Sequence, residues 1–122
     1  MKKNIFCFLL LFSLLALNSC GGCGPNNVVT KKVAVSWAPN REALVNTTGG
    51  GYTIYYSTQS NVALNLATSV KVPYVSGASA PTSTVLELPS GADYYFKVVA
   101  YSTLDGEIFT SIPSTEQIIS LK

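Results

Sequence analysis

The chain holds few side chains suited to chemistry. No histidine occurs in its 122 residues, which removes the commonest general base and metal ligand. The six carboxylates stand singly, and the closest two, Asp105 and Glu107, flank Gly106. Calcium takes about six to eight oxygen ligands, which such a turn does not supply, so this pair reads as a solvated turn. Arg41 beside Glu42 reads as a surface ion pair. Gly49-Gly50-Gly51 invites comparison with a phosphate cradle, but no Lys-Ser/Thr follows and no helix opens after it. It reads instead as the flexible end of a loop. Three cysteines remain, Cys7, Cys20 and Cys23, all in the first quarter of the chain. They leave the body no thiol for a metal cluster or a disulfide. The expectation is a non-enzymatic protein with no metal and no cofactor.

The N-terminal stretch points to where chemistry does act. Met1-Lys2-Lys3 is positive, residues 5–17 are almost purely apolar, and small Ser19 precedes Cys20. A membrane-spanning helix needs roughly 20 apolar residues, so this run is better read as a signal peptide. Leu17-Asn18-Ser19-Cys20 resembles the lipobox of bacterial lipoproteins, with Leu three places and Ser one place before the Cys. Asn18 is a less favoured residue between them. The resemblance implies cleavage before Cys20, a diacylated thiol and an acylated new amine. One acyl chain holds a protein only reversibly, at about 0.8 kcal/mol per buried methylene, whereas three would hold it essentially permanently. The alternative is ordinary secretory cleavage, with Cys20 incidental.

Three segments follow from this: a signal peptide over residues 1–19, the acylated Cys and a flexible tether over 20–30, and one folded domain over 31–122. Cys23 lies in a Gly-Gly-Cys-Gly-Pro tether. It is left for intermolecular pairing, as a free thiol, or as an unused tether residue. Lysine and arginine number eight against six acidic residues. Once Lys2 and Lys3 leave with the signal the two balance, so no basic field is available for nucleic acid.

The folded part reads as short strands divided by turn residues. Lys31-Lys-Val-Ala-Val-Ser-Trp37 alternates, with Val33, Val35 and Trp37 on one face. Residues 40–51 form a loop; its Asn46-Thr47-Thr48 fits a glycosylation sequon, which a bacterial lipobox argues against using. Residues 52–57 follow as a strand with Tyr52, Ile54 and Tyr56 on one face. Residues 61–67 read as a helical turn or an irregular edge. Residues 70–75 read as an edge strand, since Pro73 would interrupt a ladder. In residues 82–88, Leu86 and Leu88 point inward and Glu87 outward. Leu88-Pro-Ser-Gly-Ala-Asp-Tyr94-Tyr-Phe-Lys-Val-Val-Ala100 reads as a strand end, a turn and a long alternating strand. Asp105-Gly106 signals a hairpin, and Pro113 a break or bulge in the last strand.

Leu88, Gly91, Tyr94, Phe96, Val98 and Ala100 stand at offsets similar to those of the corner and penultimate strand of fibronectin type III domains. Trp37 stands where that family carries a core Trp at the end of its second strand. Pro89 falls one place before the family's usual proline. The resemblance covers about residues 33–121. It implies an all-β, immunoglobulin-like (fibronectin type III) sandwich, here with a short or missing first strand. It also implies a Tyr94 hydroxyl bonded back to the backbone, and its spacing favours Val85 as an inward residue. The core is expected from Trp37, Tyr52, Ile54, Leu88, Tyr94, Phe96 and Val98.

The same parity sends Tyr55, Tyr95, Val99 and Tyr101 outward as one stripe where the family's strands C and F lie side by side. Tyrosine is enriched at interfaces and apolar patches mark contact sites. The alternative is a plain half-exposed sheet, for which Tyr and Val are good strand formers. The expected role is a lipid-anchored binding or spacer module in the bacterial envelope, at the outer membrane or cell surface. Its partners would be the membrane, through the lipid on Cys20, and another envelope or extracellular protein. Two rivals are an assembly subunit that accepts a strand at the edge left by a missing first strand, and a glycan-binding accessory domain.

Overall fold

The computed structural model describes residues 28–122. The expected signal peptide, Cys20, Cys23 and most of the expected tether lie outside the described residues. Seven strands and no helix are found among the described residues: β1 (Thr30–Ser36), β2 (Gly51–Ser57), β3 (Thr68–Pro73), β4 (Ser83–Pro89), β5 (Asp93–Leu104), β6 (Glu107–Thr110) and β7 (Gln117–Ser120). All pairings are antiparallel. One sheet is the pair β1–β4, and the other runs β3–β2–β5–β6, with β7 also on β5. Two antiparallel sheets closing on one buried cluster make an all-β fold of the sandwich kind.

The alternation along each strand decides which face is buried. Val33 and Val35 from β1, Leu86 and Leu88 from β4, Tyr52 and Ile54 from β2, and Tyr94, Phe96, Val98 and Ala100 from β5 share one core with Trp37, Val45, Ile119 and Leu121. Leu86 and Leu88 are buried, while Val85 is 61 % exposed. The residue pattern therefore holds there against the family spacing, because Val85 has the parity of Glu87, which faces solvent.

Trp37 joins the two sheets. Its ring sits 5.2 Å from that of Tyr52, tilted by 44°, and its indole Nε1 donates to the Pro81 carbonyl at 2.9 Å. The corner after β4 is closed by Tyr94, whose hydroxyl donates to the Pro89 carbonyl at 2.8 Å. Asp105 and Gly106 both take positive φ, 53° and 82°, and turn the chain between β5 and β6. Beyond β6 the ladder is interrupted. Ser111 and Ser114 offer their hydroxyls to the amides of Ala100 and Val98, both at 2.9 Å, so β5 stays bonded while Ile112 and Pro113 bulge outward.

The loop over residues 40–50 is not a flexible end. Tyr52 accepts the Asn40 N–H at 2.7 Å and donates to Asn46 Oδ1 at 3.4 Å. Asn46 Nδ2 donates to the Asn40 carbonyl. This polar knot draws the loop so close that a Cβ on Gly50 would run into the carbonyl oxygens of Leu44 and Val45. Gly50 stands there because the backbone needs the room of a missing side chain. The Asn46 amide of the sequon is thus engaged in holding the loop. Burial raises the pKa of the Tyr52 phenol and the Asn40 amide partly opposes it, so Tyr52 stays a neutral hub.

Candidate functional site

The outward face of β2 and β5 is built in rows set by register. Tyr55 faces Lys97, Thr53 faces Val99, Ser57 faces Tyr95 and Gly51 faces Tyr101. On the far side of β5, Tyr95 also faces Ile118 of β7. On the far side of β2, Thr53 faces Lys71 of β3.

These rows divide the four residues of the stripe. Tyr55, Tyr95 and Tyr101 are half-buried, but Val99 is only 2 % exposed and Thr53 beside it is 5 % exposed. Val99 was expected outside and is covered. Its β-branched stub sits between the longer side chains of Lys97 and Tyr101 on its own strand and of Lys71 beyond Thr53, so a short residue at the centre of the face lies below the surface they make. Val99 therefore offers no contact surface.

Tyr101 is held by its neighbours. Its hydroxyl approaches Gly51 so closely that a Cβ there would come within 2.9 Å, and the Lys71 ammonium lies 5.3 Å from its ring centre, a cation–π distance. Burial pushes the Tyr101 phenol pKa up. The Val99–Thr53 row separates it from the other two tyrosines.

Tyr55 and Tyr95 are brought together. They stand diagonally across β2 and β5, the roughly 7–8 Å relation within reach of aromatic side chains. With Tyr56, Lys97, Glu116 and the segment after β2 they line a shallow open cleft. The segment is held over the sheet by Glu116. One carboxylate oxygen accepts the Ser60 hydroxyl at 2.8 Å and the other the Asn61 amide at 2.9 Å, while Lys97 Nζ lies 3.6 Å away. Burial works to raise the Glu116 pKa, but the Asn61 amide, the Ser60 hydroxyl and Lys97 together lower it below its ordinary value. Residues 63–67 make a single helical turn, with the Ala67 N–H on the Ala63 carbonyl at 3.2 Å.

Two participants were missed in the sequence. Ile118, 58 % exposed, extends the Tyr95 row outward; continuing the alternation back from Leu121 and Ile119 places it there. The Lys97–Glu116 link had no local signal, because the rest of β5, the hairpin to β6 and the bulge after it separate its two members.

The cleft is a shallow depression that encloses only about 10 Å³, room for about one water and far below the roughly 300–1,000 Å³ usual for small-molecule sites. Its carboxylate is already taken by three partners. Among the described residues no three His, Cys, Asp or Glu side chains come together, and no helix is long and apolar enough to cross a membrane. Comparison with protein-family models, curated proteins and solved structures finds no match to the chain.

Proposed function

We propose that this chain is a bacterial envelope lipoprotein, anchored through acylated Cys20, whose single fibronectin type III-like domain binds another envelope or extracellular protein. The observation that carries the binding role is the cleft in which Tyr55 and Tyr95 sit beside the Lys97–Glu116 pair, with exposed Ile118 on its flank. A tyrosine pair around a shallow depression, with a polar rim, matches the residue make-up of a protein-binding hot spot. The family reading is supported by the pairing order, by Trp37 at the end of β1 and by the Tyr94 bond to the corner carbonyl. A glycan platform is favoured less, since Trp37 is buried and the cleft is small.

Tyr55→Ser combined with Tyr95→Ser should weaken capture of the partner from solubilised envelope at least about tenfold, a change of about 1.4 kcal/mol. The fold should persist, since neither ring belongs to the core shared by the two sheets, and an unchanged circular dichroism spectrum checks this. Unchanged capture would remove the cleft as the binding site. For the anchor, Cys20→Ala should release the protein from the membrane fraction, and an unchanged partition would remove the lipid from the account.

A further inference from the structure

We infer that the cleft takes a proline-rich stretch of another protein, in the polyproline II conformation, laid across Tyr55 and Tyr95; this rests on the binding role proposed for the same face.

Depth limits what the face can hold. The depression has room for about one water, so no long side chain can insert and fill it. A partner must lie across it and gains only a shallow contact. Binding is opposed by the ordering of flexible side chains and loops. The segment that suits a shallow contact is therefore one that is already rigid when free. Proline fixes φ, and a proline-rich chain is preset as an extended helix without internal hydrogen bonds.

Charge limits it further. Lys97 and Glu116 are the two ions of the lining and lie 3.6 Å apart. The oxygens of Glu116 also accept from Ser60 and Asn61. The pair is neutral as a unit, so the face calls for a neutral partner. An acidic or phosphorylated segment would have to take Lys97 away from Glu116.

Geometry excludes the other common ways of holding a peptide. β2 and β5 are each paired on both sides, so the cleft offers no open edge for an added strand. A helix would need a trough for its anchoring side chains, and the face has none. A polyproline II segment needs only a flat aromatic surface. Tyr55 and Tyr95 stand diagonally across the two strands, a relation of roughly 7–8 Å, and one turn of polyproline II is about 9 Å long. One turn therefore spans the pair, with pyrrolidine rings laid on phenol rings. Ile118, exposed beyond Tyr95, continues the apolar track. The carbonyls of such a segment have no partners of their own, and the tyrosine hydroxyls and the Gln59 amide at the rim can donate to them.

The test uses the full chain in detergent and a synthetic peptide of consecutive prolines with blocked ends. A Gly-Ser peptide of equal length is the control. The proline peptide should bind at least about tenfold more tightly than the control, and it should shift the NMR signals of Tyr55, Tyr95 and Lys97 while leaving that of Val75 in place. Tyr55→Ser with Tyr95→Ser should weaken its binding at least about tenfold. Should that variant fail to fold, the position of the shifts in the unaltered chain decides the matter. No binding, equal binding of the two peptides, or shifts away from the cleft would overturn the inference. If the proline peptide fails while the same double variant still loses capture of the envelope partner, the binding site stands and only its proline-rich ligand falls. If capture is unchanged as well, the site falls with it.

Discussion

Replacing Trp37 by Ala is expected to destabilise the domain by about 3–5 kcal/mol, the range for losing a large buried aromatic. The ring is the main contact between the end of β1 and Tyr52 of the opposite sheet, and its indole N–H satisfies the Pro81 carbonyl. Truncation removes the contact and strands that carbonyl. A domain of this size holds only about 5–15 kcal/mol in all, so the variant should be largely unfolded at 37 °C or melt far below the wild type. Chemical denaturation followed by tyrosine fluorescence and circular dichroism measures this. Wild-type-like unfolding would show that the two sheets are held elsewhere.

Gly50→Ala is expected to cost about 3 kcal/mol, at the upper end of overpacking effects. The added methyl meets backbone carbonyls of Leu44 and Val45 rather than a movable side-chain tip. Relief requires the loop to lift, which pulls Asn40 and Asn46 from Tyr52 and uncovers Val45. Gly77→Ala is the control, because nothing lies within 4 Å of a Cβ there. Its positive φ of 80° adds local strain but no clash. Equal melting of the two variants would mean that the loop is loosely held.

The strands were legible wherever one face is apolar, because a period of two is set by the pleat itself. That is why Leu86 and Leu88 could be placed inward without reference to any family, and why Tyr94, Phe96 and Val98 share a face. What alternation does not encode is height above the sheet. Val99 has outward parity and is still covered, since its burial depends on the lengths of Lys97, Tyr101 and Lys71, two of them set by its own strand and one brought by β3. The glycine run was misread for a similar reason. Three glycines look flexible when only neighbours in sequence are considered, but Gly50 is pressed by a loop folded back through Tyr52. The cleft lay beyond local reading for its lid, which Glu116 holds from the far end of the chain.

The proposed binding role rests on one face, so the decisive measurement is whether that face touches another protein in the cell. A photoactivatable residue in place of Tyr95, in the full-length chain in living cells, should give on illumination a covalent adduct heavier than the chain itself. The same residue in place of Val75, exposed in the loop after β3 and off that face, should give none. An adduct at Tyr95 alone is the predicted result. No adduct at Tyr95, or equal adducts at both positions, would contradict a binding surface on β2 and β5.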